Sequence, residues 1–454
     1  MDPTIDYITI KSAFDKTANS RYDGISILKS SYSYKNFNYK LALTKRKIDK
    51  PFDNIYVVGK QYQKLLVSIS DKQMDNPRFN EARDYTNPFE KIKKSIFFDR
   101  AAVKLANIDA IFYLTSQDYT DPSLKDGVGE LSSQFGGQLA QQLMGEFYFC
   151  DIAGAPGAWS EYIQFRRPGS IGYGISLNNP DLNWNSNILD MSKFSFTYGE
   201  DNTGNLYTQS EFFINYAKDR QPQLFDLIMS DGGFGVGDNR EFQETITSRL
   251  ILCECYIGAN LVRNGRHFVC KIFNTNTQFL ADLIFLMSIL FEDVYIFKPI
   301  SSRPANSERY LVCRRLMESK RSEVTGILKK IYDGYSDEEY FYSIFDAVPD
   351  DYIAWLEYHN KLNIDRQEKH IQMILDYLNG IKVEVPIYNL YKALVLWNIP
   401  DELDKKINRR INVRRINQKG YLPRTSSQYF NRINNEGMFK VSIGSEKKII
   451  KKKC

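Results

Sequence analysis

Phe147-Tyr148-Phe149-Cys150 is an apolar, aromatic run with the pattern of a buried strand, and it stops abruptly at Asp151-Ile152-Ala153-Gly154-Ala155-Pro156-Gly157-Ala158-Trp159-Ser160-Glu161. A strand that breaks into small residues and then a helix is the joint at which doubly wound α/β sheets hold nucleotide-like cofactors, because small side chains let a ligand approach the backbone closely. The spacing is not G-x-G-x-x-G, and no G-x-x-x-x-G-K-[ST] occurs. That favours a cofactor without a pyrophosphate to cradle over dinucleotide or P-loop binding, and S-adenosylmethionine fits the description. An ordinary tight turn competes with this reading.

The same alternation continues on both sides of the turn. Phe97 to Asn107 reads as a helix, and Ile171 to Leu177 and Leu224 to Ser230 read as strands, the latter ending in Asp231-Gly232-Gly233-Phe234-Gly235. Arg249 to Val262 predicts an amphipathic helix closed by Gly265. His267 to Phe273 then predicts a strand with Lys271 in an apolar run, Phe279 to Phe291 a helix, and Val294 to Phe297 and Tyr310 to Cys313 two further strands. Strands and helices alternating from about 95 to 315 predict one α/β domain, a Rossmann-like doubly wound and mainly parallel sheet.

The flanks differ. Residues 1–75 form an N-terminal extension with short strands expected at Ile55–Val58 and Leu65–Ile69; 76–318 hold the α/β domain. Residues 319–404 read as helical, with Ile371, Ile374, Leu375 and Leu378 at core spacing, and 405–454 form a basic tail. The net charge of +5 conceals an asymmetry. From Lys405 to Cys454, 15 Lys and Arg face two acids, while the remaining chain carries 45 basic against 53 acidic side chains. Such a tail could track RNA phosphates or an acidic partner surface, act as a nuclear import signal, or be a solvated terminus.

Phe279 to Phe291 contains Asp282 and is too short to span a bilayer, so no membrane association is expected. The first residues show no signal-peptide pattern, and six cysteines without C-x-x-C spacing read as free thiols of an intracellular protein, with no metal site.

Lys104, Asp231, Lys271 and Glu308 each lie in or beside a segment that such a sheet brings to one rim. Two lysines and two acids suit removal of a proton from a poorly acidic hydroxyl: a neighbouring cation and desolvation lower a lysine's pKa, while a carboxylate holds the flexible amine in place.

These four residues in this order, with the central turn, Asp231-Gly232-Gly233-Phe234 and Ser302-Arg303-Pro304-Ala305-Asn306-Ser307-Glu308-Arg309-Tyr310, resemble the FtsJ-like RNA 2′-O-ribose methyltransferases. Asn87-Pro88-Phe89-Glu90, Arg100 to Asn107 and Leu396-Trp397-Asn398-Ile399-Pro400-Asp401 resemble the mRNA cap-1 branch of that family, eukaryotic and viral. The likeness is strong over roughly residues 80–315.

The resemblance implies methyl transfer from S-adenosylmethionine to the 2′-OH of the first transcribed nucleotide of m7G-capped mRNA, without a metal. It implies Lys271 as general base, Lys104 lowering its pKa, Asp231 orienting it, and Glu308 holding Lys104 and the ribose. It further implies cofactor contacts at Asp99, at Ala153, Gly154, Ala155, Pro156, Gly157, Ala158 and Trp159, and at Asn205 and Leu206, with Arg83, Glu241 and Asn306 toward the cap or first nucleotides. RNA polymerase or other capping enzymes are the protein partners such a role suggests. The setting would be the nucleus of a cell, or the cytoplasmic replication site or virion of a virus. An FtsJ-like enzyme acting on ribosomal RNA, transfer RNA or the second cap nucleotide, and a catalytically idle RNA-binding subunit, are the alternatives.

Overall fold

The computed structural model describes residues 25–29, 38–47, 76–115, 146–233, 243–336 and 339–386, with single positions at 390, 393, 394, 397 and 399. The strands expected at 55–58 and 65–69, the basic tail and Glu241 lie outside the described residues.

An eight-stranded sheet forms the centre. In chain order its strands are β1 (Ile25–Lys29), β3 (Tyr148–Ile152), β4 (Ile171–Ile175), β5 (Phe194–Thr197), β6 (Phe225–Ser230), β7 (Val262–Ile272), β8 (Phe291–Phe297) and β9 (Arg309–Leu316). A separate pair joins β2 (Leu41–Lys47) to β10 (Glu339–Phe345). Across the large sheet the order is β1-β8-β9-β7-β6-β3-β4-β5. The five strands from β7 to β5 are mutually parallel, while β9 runs antiparallel between β7 and β8. The chain winds outward from β3 to β5, then returns to β6 on the other side of β3. That reversal opens a crevice at the carboxyl ends of β3 and β6, the usual ligand position in such sheets.

Helices cover both faces, so the central strands are apolar throughout; every residue of β6 is buried. Alternation along each strand assigns the faces. Ile228, Phe268, Cys270, Leu311 and Cys313 point to the core beneath α4 (Leu206–Arg220), α5 (Gln243–Leu261), α6 (Gln278–Leu290) and α7 (Glu318–Gly334). Leu227, Met229, Val269, Tyr310 and Val312 point to the opposite core, with α2 (Arg100–Phe112) and α3 (Ala158–Arg166). By the same period of two, Lys271 shares the α2 side with Val269.

Several expectations change. The strand Glu339–Phe345 lies inside the stretch read as helical, where an aromatic-rich run pairs antiparallel with β2. Gly265 does not close a helix: the helix ends at Leu261, and Gly265 lies within β7 in a left-handed conformation. The short strand β5 was not expected. The helix expected from Phe97 starts at Arg100, because Asp99 caps it by accepting from the Ala101 amide at 2.8 Å. Two outer helices, α1 (Phe79–Tyr85) and α8 (Asp350–Leu378), pack against each other, and Ile371 and Ile374 are buried.

Cys150, Cys253, Cys255, Cys270 and Cys313 are free and buried. Among the described residues, no helix is long and apolar enough to cross a membrane.

Within α6, Asp282 Oδ2 accepts from the amides of Ile344 and Phe345 at 2.7 and 3.1 Å, tying the helix to β10. Burial raises this carboxyl to about 7. An unfolded aspartate ionises earlier, so Asp282 contributes stability at acid pH that is lost as pH rises through about 7. Asp282→Ala, which strands two buried donors, is expected to cost ~2–4 kcal/mol in denaturant unfolding. Asp282→Asn, whose amide oxygen can accept the same bonds, is expected to match or exceed the parent above neutral pH.

Candidate active site at the switch point of the sheet

The turn after β3 begins with Ala153, held by its amide on the Ile175 carbonyl at 2.7 Å in a left-handed conformation. Gly157 caps α3 at φ +100, and a Cβ there would fall 2.7 Å from Leu189 Cδ1, so the turn requires glycine. Ala153 to Pro156 are half-buried and offer backbone at the crevice; Gly157, Ala158 and Trp159 are buried. Trp159 donates to the Ala101 carbonyl at 2.9 Å and lies 5.5 Å from the Tyr310 ring. Its place in the core makes it a prop for the turn against α2, and its indole N–H is already engaged.

Beneath the turn lies Asp151, wholly buried. Ser160 donates to its Oδ2 at 2.6 Å, its Oδ1 has no partner, and burial pushes the carboxyl up to about 7. The turn also reaches the end of β4, where the Ala155 amide meets Ser176 Oγ at 3.4 Å, and the Asn178 amide donates to the Thr203 carbonyl at 2.9 Å. Asn205 follows as the cap of α4, and Leu206 is buried. Asp99 is exposed at the start of α2.

The four candidate catalytic side chains form two short ion pairs. Lys271 Nζ lies 2.9 Å from Asp231 Oδ1 and donates to the Asp231 carbonyl at 2.7 Å; Lys104 Nζ lies 2.9 Å from Glu308 Oε1. Tyr310 donates to Asp231 Oδ1 at 2.8 Å, and Ser302 donates to Glu308 Oε1 at 2.7 Å. Each residue sits where its element forces it: Lys104 on α2, Asp231 one residue past β6, Lys271 near the end of β7, and Glu308 just before the antiparallel β9.

Charge compensation decides the titration. Burial works to raise Glu308, but Lys104 and Lys271, with Lys298 behind them, bring it down to about 2. For Lys271, burial is the largest influence and works downward. Asp231, Glu308 and Glu254 together outweigh it and hold the ammonium above the ordinary lysine range. The direction is opposite to the lowering expected for Lys271: the Lys104 ammonium is engaged with Glu308, and the carboxylates around Lys271 dominate.

Two residues were missed. Tyr310, given no role in the sequence though it opens a strand and closes the family-like segment from Ser302, donates to Asp231 of the Lys271–Asp231 pair; alternation on β9 could have placed it on the α2 side. Lys298, buried just past the end of β8, donates to Asn306 O and Oδ1 and to Glu308 O at 2.7, 2.8 and 2.8 Å, fixing the loop that carries Glu308. Burial draws its pKa well below the usual value. A lysine closing an apolar strand was the available signal.

Asn306 is exposed on that loop. Arg83 is half-buried on α1 beside Asp84, and Asp84 meets Arg303 of the loop at 3.7 Å. Arg100 joins the same region, bonding Glu90 at 2.6 Å and the Ser301 carbonyl at 3.2 Å. The segment that carries Arg83 therefore meets the loop that carries Asn306 and leads into Glu308.

A depressed Glu308 stabilises the fold above the unfolded carboxylate range, and that contribution is lost as pH falls toward about 2. Glu308→Gln is expected to be less stable than the parent at neutral pH, with the gap closing through that acid window in pH-resolved denaturant unfolding.

Residues 97–316 match the family model described as FtsJ-like methyltransferase. The chain is 35% identical over 255 residues to "Cap-specific mRNA (nucleoside-2'-O-)-methyltransferase 1" of Xenopus laevis, covering 54% of this chain and 29% of that protein. The protein of the same name from Drosophila melanogaster is 32% identical over 353 residues, covering 74% and 43%, and that of Homo sapiens 34% over 256 residues, covering 54% and 29%. The chain thus spans less than half the length of these relatives. The part of the chain that is similar to the FtsJ-like methyltransferases is thus the α/β domain that carries the paired lysines and acids.

Proposed function

We propose that this protein transfers a methyl group from S-adenosylmethionine to the 2′-OH of the first transcribed nucleotide of m7G-capped mRNA. The observation that carries the reading is the double ion pair, Lys271–Asp231 and Lys104–Glu308, at the crevice where the sheet reverses. The relatives named for cap-specific mRNA methylation direct the choice of RNA.

The residues at the crevice fit the cofactor. A turn of small residues presents half-buried backbone, the Asp151 oxygen beneath it lacks a partner, and Asn205 and exposed Leu177 border the far side. Asp99, Ala153 to Ala158, Asn205 and Leu206 would hold S-adenosylmethionine, which supplies an electrophilic methyl group on a cationic sulfur.

Lys271 then removes the proton from the ribose hydroxyl. Asp231, fixed by Tyr310, keeps the flexible amine on one trajectory, and Glu308 positions Lys104 against the ribose. Because carboxylates hold Lys271 protonated, the neutral amine becomes more available as pH rises. Arg83 and Asn306 meet the cap or first nucleotides, joined by Glu241 from outside the described residues. RNA polymerase or other capping enzymes are the partners proposed for recruitment, in the nucleus of a cell or at the replication site or virion of a virus.

Lys271→Ala is expected to cut transfer by about 10²–10⁴-fold while calorimetric S-adenosylmethionine binding stays within a few-fold of the parent. Mass spectrometry of the product nucleoside from capped and uncapped transcripts checks the substrate. Methyl on the first ribose of capped RNA supports the proposal; equal methylation of uncapped RNA contradicts it.

A further inference from the structure

Glu254 lies on α5 with no exposed surface, directly behind the two segments that carry the Lys271–Asp231 pair. Its Oε2 accepts from Cys270 Sγ at 3.0 Å, one residue before Lys271. Its Oε1 lies against Gly232, one residue after Asp231: a Cβ at that glycine would stand 2.2 Å from this oxygen and 2.9 Å from the Ala153 Cβ of the cofactor turn. Residue 232 must therefore be glycine for the carboxyl, the Asp231 turn and the cofactor turn to stack. Oε1 has no hydrogen-bond partner, since the nearby Ser230 hydroxyl donates to the Ile152 carbonyl at 3.0 Å. A fully buried carboxyl with an unsatisfied oxygen is costly, and it is no part of the tetrad.

Resting on the methyltransferase reading, we propose that Glu254 is a positioning residue of the reaction, whose buried carboxyl braces the Asp231 turn and whose protonation sets how tightly Lys271 holds its proton. Without it the tetrad is balanced, two ammonium groups against two carboxylates. An ionised Glu254 adds a third negative charge behind Lys271 and favours the ammonium; a protonated Glu254 restores the balance and frees the amine.

The groups facing it are Ser230 and Asp231 from β6 and its turn, Cys270 and Lys271 from β7, Tyr207 from α4, and Cys253 on its own helix. Burial is the largest influence and raises the carboxyl; Cys270, Ser230 and Lys271 oppose it, Asp231 adds to it, and the balance is about 7. Both charge states are thus populated near neutral pH.

The test uses the full chain and needs no RNA. Trace acetic anhydride labels each amine in proportion to its neutral fraction, and mass spectrometry of the Lys271 peptide across the alkaline range yields its midpoint. Glu254→Gln, nearly isosteric and never charged, is expected to lower that midpoint by about one pH unit, and to move the acid limb of the methyl-transfer profile downward with it. An unchanged midpoint overturns the proposal, even where transfer is slowed. In the parent chain, the ¹³C-labelled Glu254 carboxyl is expected to titrate near neutrality; a midpoint in the ordinary carboxylate range overturns the proposal without recourse to any variant. Failure to methylate capped RNA would count against the substrate reading and leave both titrations interpretable.

Discussion

The contact between the Lys271 ammonium and Asp231 is what the rest of the site is arranged to maintain. A lysine embedded between apolar residues of a central strand is unfavourable alone, and a carboxylate beside it makes that position tenable. Here the amine has two acceptors on one residue, the side chain and the carbonyl of Asp231, so its position is tied to the end of β6. Tyr310 donates to the same carboxylate oxygen that Lys271 contacts, and Lys104 with Glu308 repeats the pairing next to it. Each buried amine thus has a carboxylate beside it, which offsets the cost of burying both.

The sheet makes this arrangement possible through its order. Parallel β6 and β7 deliver Asp231 and Lys271 to the same rim, and antiparallel β9 starts at that rim, so Glu308 enters it from the loop before the strand. Side-chain alternation turns Lys271 and Tyr310 toward α2, whose Lys104 completes the set. The turn after β3 shares the rim because β3 pairs with β6. Cofactor turn and charged pairs are therefore products of one topology.

Much of this was legible in the residues. Strands buried on both faces write themselves as apolar runs, so β3, β4, β6, β7, β8 and β9 could all be found, and glycines with an acid at a strand end marked the rim. The likeness to a known family joined Lys104, Asp231, Lys271 and Glu308 across distant parts of the chain, a step that spacing alone could not take. Other features depend on what the chain meets in space. Phe194–Thr197 is too short to announce itself, and Glu339–Phe345 is a strand only because β2 supplies its partner. The roles of Lys298 and Glu254 exist only once β8, α5 and the catalytic loops are packed. The upward direction of the Lys271 pKa is a sum over three carboxylates from separate elements, and pairwise intuition about one neighbouring cation gave the opposite sign.

In chemical terms the base is kept charged until it is needed, with position secured at the expense of readiness. The most direct measurement is the pH dependence of single-turnover methyl transfer to capped RNA at saturating S-adenosylmethionine. If Lys271 is the base and its neighbours hold it protonated, log rate rises with pH from the acid to the alkaline side of neutrality, at a slope near one on either side of a shallower stretch where Glu254 ionises. A rate independent of pH across that range would contradict the account.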